Sequence, residues 1–111
     1  MVSEPQQGKR RHKLLTAEIR QALPAIGSTD GQGLDAVAQV KFFSPYSSRG
    51  TWYFTEFDGE DLLYGYGGFS SDREWGYSSF REMAEVTYAS CVPAIERDCH
   101  WDPRPVRECV T

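Results

Sequence analysis

The chain has 111 residues, of which 40% are hydrophobic and 14% aromatic, and its formal net charge is −4. This length suits one domain with a single core and is too short for two. No apolar run approaches the roughly 20 residues that cross a bilayer, and the N-terminus lacks the apolar segment of a secretory signal, so we expect a cytoplasmic protein without a membrane span.

The charge is unevenly distributed along the chain. Residues 1–13 carry four basic side chains and one acidic side chain, whereas residues 14–111 carry eight basic and fifteen acidic ones, a net charge of −7. The basic side chains of the first segment are Lys9, Arg10, Arg11 and Lys13. Because residues 1–13 contain almost nothing that can be buried, we predict a flexible basic tail there and a single domain over 14–111. The acidic body suits a basic protein surface better than a phosphate backbone.

The first half of the domain predicts a short helix, a loop and a strand. Thr16 is a suitable N-cap and Pro24 a stop for a helix within Leu14–Leu23. Residues 25–35 are rich in Gly, Ser and Asp, but their spacing matches neither a P-loop nor a dinucleotide-binding loop, which indicates an ordinary connection. The alternating segment Ala36–Phe43 then predicts a strand.

The centre of the predicted fold is a β-hairpin in Thr51–Phe69. Two aromatic-rich runs flank Asp58-Gly59, which is typical of a tight two-residue turn. Both predicted strands are aromatic on each face, so one side should pack on helices while the other leaves an aromatic patch for a partner. The glycines at 65, 67 and 68 either weaken the second strand or mark a bulge where another element approaches closely.

The C-terminal part predicts a short strand, a helix and a last strand. Glu74–Tyr77 forms the short strand, and the Ser79 to Glu82 spacing is that of a capping box before a helix ending near Ala89. Its inward residues are Phe80, Met83 and Ala84. The alternating segment Ile95–Trp101 reads as the last strand, followed by a tail on the surface. The fold class is therefore α+β: one antiparallel sheet of about four strands with two short helices mainly on one face.

A group of carboxylates crowds the predicted hairpin turn. Carboxylates on both sides of a turn can converge on Mg²⁺ or Ca²⁺, but the spacing is not that of an EF-hand, and solvated or partner-binding roles are common for such residues. No metal ion or other cofactor is predicted. The predicted partner-binding residues are Trp52, Tyr53, Glu56, Asp58, Glu60 and Asp61.

No catalytic residue is assigned. The three cysteines, Cys91, Cys99 and Cys109, are an odd number without a secretory signal, so free thiols are expected. Zinc binding with His100 lacks the paired spacing of structural sites. A Cys99 and His100 nucleophile pair is poorly arranged, because neighbours on a strand point to opposite faces.

Five segments together resemble a known family: KLLTAEIRQALP at 13–24, VKFFSP at 40–45, TWYFTEFDGEDLLYGY at 51–66, WGYSSFREM at 75–83 and PAIERDCHWDP at 93–103. They are similar to the small bacterial family filed as domain of unknown function twenty-nine fifty-eight. The resemblance implies a cytoplasmic bacterial setting on plasmids and other mobile elements, with roles in antagonising host defence or aiding plasmid upkeep. It implies no mechanism.

Three function hypotheses follow. The first is a non-enzymatic interaction protein of a plasmid or other mobile element, whose acidic surface binds a host or plasmid protein and inhibits a nucleic-acid-handling or defence system. The second is a nucleic-acid-binding accessory protein that uses the basic tail and surface arginines. The third is a carboxylate-dependent metal hydrolase. The arginines of the second hypothesis are Arg49, Arg97, Arg104 and Arg107.

Overall fold

The computed structural model describes residues 12–45, 50–69, 72–88 and 92–110. Their elements are α1 (Ala17–Ala22), β1 (Val37–Ala38), β2 (Val40–Phe43), β3 (Thr51–Phe57), β4 (Leu62–Gly68), β5 (Glu74–Ser79), α2 (Phe80–Glu85), β6 (Thr87–Tyr88), β7 (Val92–Pro93), β8 (Glu96–Arg97) and β9 (Arg104–Pro105), with 3-10 helices at Gly33–Asp35 and Val106–Glu108. A five-stranded antiparallel sheet has the order β5-β4-β3-β2-β8. The predicted α+β fold with one main antiparallel sheet is confirmed.

The hairpin β3–β4 is present, but its turn differs from the prediction. The strands are joined by residues 58–61, four residues instead of two. The Asp58 carboxylate explains the longer loop, because its Oδ1 accepts hydrogen bonds from the backbone N–H groups of Glu60, Asp61 and Leu62 at 2.8, 2.8 and 3.0 Å. Asp58 therefore organises the turn through its side chain, and the prediction of a tight two-residue turn is wrong.

A β-bulge divides strand β3 and changes which side chains share a face. The pairing with β4 shifts between Phe54 and Glu56, so Thr55 is the extra residue. Without this shift, the Phe57 and Phe54 side chains would lie on opposite faces of the sheet. With it, both side chains lie on the same face and belong to the main core. Glu56, paired with Tyr64, is consequently turned towards the other face of the sheet.

The main core lies between one face of the sheet and the two helices. Its sheet side includes Phe42, Phe54 and Leu63, all fully buried or nearly so. The other side is contributed by Leu14, Leu15 and Leu23, which flank α1, and by Phe80, Met83 and Ala84 of α2. The predicted caps are found, since the Thr16 hydroxyl accepts from the Ile19 N–H and the Ser79 hydroxyl from the Glu82 N–H. Helix α2 ends at Glu85 instead of near Ala89, because Val86 has extended backbone.

Two glycines of β4 are required by the close packing on β3. A Cβ at Gly65 would lie 2.1 Å from the Tyr53 carbonyl oxygen, and one at Gly67 would lie 2.5 Å from the Thr51 carbonyl oxygen. Both distances are far inside van der Waals contact, so no other residue fits without moving the strand. The element that approaches these glycines closely is the hairpin partner β3, and the bulge lies in β3 instead of at the glycines.

The opposite face of the sheet carries a second, smaller core. Ala38, Tyr53 and Val106 are buried there, and Trp101 packs against them. The Trp101 indole N–H donates to the Ala38 carbonyl oxygen at 3.0 Å. Strand β9 pairs with β1, which separates from β2 at Gln39.

The predictions for the C-terminal segment need correction. Of the predicted strand Ile95–Trp101, only Glu96–Arg97 pairs with the sheet. The chain then turns, with the Asp98 carboxylate accepting the His100 backbone N–H at 2.9 Å, and returns across the second face. The tail after this predicted strand was expected to lie on the surface, but its fully buried Val106 shows that it completes a core. The chain crosses this face because it thereby buries apolar side chains that would otherwise be exposed to water.

Candidate functional site

Half of the predicted partner-binding residues are inside the protein. Trp52, Tyr53 and Glu56 are 9%, 7% and 1% exposed. Trp52 packs edge-to-face on Phe69 with ring centroids 5.2 Å apart, and Tyr53 packs on Trp101 at 5.5 Å. These three side chains are covered because both faces of β3 are packed, and they do not form the exposed patch expected from the sequence.

Glu56 connects the hairpin to the loop that follows α1. Its carboxylate accepts hydrogen bonds from the Gly27 N–H at 2.7 Å, from the Thr29 N–H at 2.9 Å and from the Thr29 hydroxyl. Burial alone would raise the pKa of Glu56, but the three hydrogen bonds outweigh it and hold the pKa below its ordinary value. Glu56 is thus an ionised anchor that fixes residues 27–29 against the sheet.

The three other carboxylates of the predicted site lie in the hairpin loop. Asp58 binds the loop backbone, and although burial acts in the opposite direction, these hydrogen bonds lower its pKa. Asp61 caps α2, because its carboxylate accepts from the Arg81 N–H and the Ser79 hydroxyl, both at 2.7 Å. Within the described residues, only the Glu60 carboxylate of this group has no hydrogen-bond or ion-pair partner. The four carboxylates therefore act separately and do not converge on one point.

The described arginines of the nucleic-acid hypothesis all have partners within the protein. Arg97 donates to the Lys13 carbonyl oxygen at 2.6 Å, and Arg107 pairs with Asp35 at 3.2 Å. The Arg104 guanidinium lies 4.3 Å from the Trp101 ring centroid. Lys13 is exposed, while Arg49, Lys9, Arg10 and Arg11 lie outside the described residues.

Two of the cysteines and His100 can be placed. Cys99 and His100 are exposed on the turn after β8. The Cys109 thiol donates to the Pro105 carbonyl oxygen at 3.5 Å, and burial raises its pKa. Cys91 lies outside the described residues. An open depression of about 470 Å³ borders His100, Glu96 and Asp98, but within the described chain no hydrogen bond joins the imidazole to either carboxylate.

An aromatic surface lies on strands β4 and β5, and none of its residues was among the predicted partner-binding residues, although an aromatic patch on one side of the hairpin was expected. We call it the aromatic face; its members are Tyr64, Tyr66, Trp75 and Tyr77. Tyr64 stacks on Trp75 with centroids 5.8 Å apart and planes 19° apart, and it contacts Tyr77 at 4.8 Å. Tyr77 is 60% exposed. The alternation of aromatic residues with glycine in YGYG and WGY puts the rings on one side of the strands, and this signal was available in the sequence.

A cavity of about 340 Å³ adjoins the aromatic face. The loop between α1 and β1 forms one wall with Thr29, Asp30 and two glycines, and Tyr64 and Trp75 form the other. Burial raises the pKa of the Tyr64 hydroxyl, and so do the nearby Tyr77, Glu56 and Asp30. Glu56 shapes this cavity indirectly, because it holds Thr29 in place.

In the described ranges, no group of three or more His, Cys, Asp or Glu side chains has a metal-binding arrangement. No helix of the described chain is long and apolar enough to cross a membrane.

Comparisons with known proteins bear on the identity of the chain. No significant match is found among curated proteins or among solved structures. Residues 14–106 match the family described as protein of unknown function, DUF2958. This match covers most of the chain and agrees with the resemblance of the five sequence segments, so the protein belongs to the DUF2958 family.

Proposed function

We propose that this protein is a non-enzymatic interaction protein that binds a basic protein partner through the aromatic face. The observation that carries the proposal is the partly exposed aromatic face on a body of net charge −7. Tyr and Trp are enriched among the residues that dominate binding energy in protein interfaces. The negative charge of the body favours a partner of opposite charge and speeds its association.

The strand that carries half of this face lies at the edge of the sheet. Among the described strands, β5 pairs only with β4. The Phe80 N–H donates to the Asp61 carbonyl oxygen at 2.8 Å, and the alternation of an antiparallel ladder then directs the backbone groups of Trp75 and Tyr77 away from β4. An extended segment of a partner can therefore add to β5 while its side chains contact the rings.

The biological setting in the proposal comes from the resemblance to the mobile-element family. We place the protein in the bacterial cytoplasm as a product of a plasmid or other mobile element. Its partner would be a host or plasmid protein with a basic surface, such as one that handles nucleic acid or acts in defence, and occupation of that surface would inhibit it. Such proteins present basic surfaces because they contact phosphate backbones.

Site-specific photo-crosslinking tests the proposal. A photo-reactive phenylalanine at position 77 is expected to crosslink a basic protein in a salt-sensitive manner, and the same residue at position 110, which is also exposed, is the control position. Tyr77→Ala should reduce recovery of the partner about 30-fold, the effect of losing a hot spot of about 2 kcal/mol. The matched control Val86→Ala removes another exposed apolar side chain and should leave recovery unchanged.

Two results would contradict this proposal. One is equal crosslinking from positions 77 and 110, or equal recovery by Tyr77→Ala and Val86→Ala. The other is tight binding of a labelled oligonucleotide that weakens steeply with salt, which would favour the nucleic-acid hypothesis through Lys13 and the basic residues before it. Fluorescence anisotropy at two salt concentrations measures the second result.

A further inference from the structure

We infer that the cavity between the loop at residues 29–33 and the rings of Tyr64 and Trp75 receives an arginine side chain of the partner. This inference rests on the proposed function and deepens it by naming the group that is recognised. The cavity of about 340 Å³ lies within the range of ligand-binding pockets and is open to solvent beside the aromatic face. It is therefore accessible to a side chain of a docked protein.

The walls of the cavity combine flat rings with a carboxylate. Tyr64 and Trp75 both line the cavity, and their rings are almost parallel, with planes 19° apart. Asp30 lies on the facing loop and is exposed, and no basic side chain in the described part of the chain pairs with it. A guanidinium group satisfies both walls, because it is planar, stacks on aromatic rings and donates paired hydrogen bonds to a carboxylate.

The same protein already places its own arginines on rings in this way. The Arg20 guanidinium lies 5.8 Å from the Phe57 centroid and 5.2 Å from the Phe80 centroid, and Arg104 lies on Trp101. In contrast, no cation of the described residues lies over Tyr64 or Trp75. The rings beside Asp30 therefore have no cation of the described residues over them, and they adjoin an exposed carboxylate.

The negative charge around the cavity favours a planar cation, the guanidinium group, over other planar groups that aromatic rings bind. A nucleobase also stacks on Tyr and Trp, but in nucleic acid it carries phosphate, which the body charge of −7 repels. Glu56 adds a second ionised carboxylate behind Thr29. A lysine ammonium would satisfy Asp30 but has no plane to stack on the rings.

Titration with matched peptides tests the inference. The protein is labelled with fluorotryptophan, and short neutral-ended peptides with a central arginine, lysine or citrulline are titrated while the fluorine resonances of Trp52, Trp75 and Trp101 are followed. Citrulline keeps the size and planarity of arginine without its charge. We expect the arginine peptide to move the Trp75 resonance in a saturable manner, and the lysine and citrulline peptides to bind at least tenfold more weakly.

Variants separate the cavity from the rest of the acidic surface. Asp30→Asn should weaken arginine-peptide binding at least tenfold, whereas Glu60→Gln, which removes one exposed charge outside the cavity, should change it less than twofold. Circular dichroism verifies that both variants are folded. Equal binding of arginine and citrulline peptides, unchanged binding by Asp30→Asn, or a stronger response to adenosine than to arginine would each overturn the inference.

Different results test the arginine cavity and the interaction role. A basic partner crosslinked at position 77 but captured equally by Asp30→Asn would overturn the arginine cavity and leave the interaction role standing. Arginine-specific binding that disappears in Asp30→Asn would support the cavity whether or not the crosslinking experiment recovers a partner.

Discussion

Replacing Glu56 tests whether this carboxylate is an internal anchor instead of a surface charge. Glu56→Gln keeps the size of the side chain but replaces one acceptor oxygen with an NH₂ group that faces the donors Gly27 N–H and Thr29 N–H. The wild-type carboxylate accepts two backbone hydrogen bonds at 2.7 and 2.9 Å and a third from the Thr29 hydroxyl. Hydrogen bonds to charged groups contribute about 1.5–3 kcal/mol each and are not additive, so we expect a loss of about 2–4 kcal/mol. For a domain of this size, that loss lowers Tm by roughly 10–25 °C.

The pH dependence of the same variant provides a second, independent check. The folded-state pKa of Glu56 lies below the ordinary value of 4.5, so the unfolded state binds more protons in this range. The stabilisation is therefore fully present above the ordinary pKa and is lost as the pH falls through the folded-state pKa. The difference in unfolding free energy between wild type and Glu56→Gln should be constant from pH 7 to about 5.5 and shrink below about pH 4.5.

Urea unfolding followed by tryptophan fluorescence at pH 7, 5.5, 4 and 3 measures both effects. Glu60→Gln is the matched control, because it removes a carboxylate four residues away that has no partner among the described side chains, and it should lie within about 0.5 kcal/mol of wild type. The reasoning would be refuted if Glu56→Gln were as stable as Glu60→Gln at pH 7. It would also be refuted if their difference did not change on acidification.

Two further substitutions test the packing of the hairpin. Gly65→Ala should cost about 3 kcal/mol or more of unfolding free energy, because its Cβ would lie 2.1 Å from the Tyr53 carbonyl oxygen. Gly76→Ala is the control, since nothing lies within 4 Å of its Cβ, and it should stay within about 1 kcal/mol of wild type. Equal unfolding free energies of the two variants would contradict the observed register. Asp61→Ala should cost about 1 kcal/mol by removing the acceptor of the Arg81 N–H in the first turn of α2, while Ser79 still caps Glu82. Amide exchange at Arg81 should be faster than in Glu60→Ala, and unchanged exchange there would show that the Asp61 carboxylate contributes nothing to the helix.

The sequence was sufficient for the features that depend on local chemistry. Aromatic runs around Asp58-Gly59 predicted the hairpin, and the caps Thr16 and Ser79 predicted where the helices begin. The bulge at Thr55 was not predictable in this way, because it depends on how β3 meets β4 and not on any turn residue. This one-residue shift exchanged the faces of all later β3 residues and carried Glu56 under the loop.

The candidate site was misjudged for a related reason. Four neighbouring carboxylates in a turn suggested free surface charge, but an aspartate in a turn also competes for nearby backbone N–H groups, as Asp58 does. Asp61 caps a helix that begins nineteen residues later, at Phe80, and Glu56 binds a loop 27–29 residues earlier. Contacts between residues so far apart cannot be read from local spacing, so the sequence located the acidic group without showing how it is used.

The path of residues 101–106 over the second face explains why burial differs among the rings of that face. That segment crosses the second face at the β1 and Tyr53 end, where Trp101 and Val106 leave Tyr53 only 7% exposed. Tyr66 and Trp75 lie further along and are half-buried, and Tyr77 at the outer strand is 60% exposed. Loss of Tyr53 should therefore unfold the second core, whereas loss of Tyr77 removes little buried area and should leave stability nearly unchanged. Because of this gradient, the binding role proposed for the aromatic face can be tested at Tyr77 without disturbing the fold that presents it.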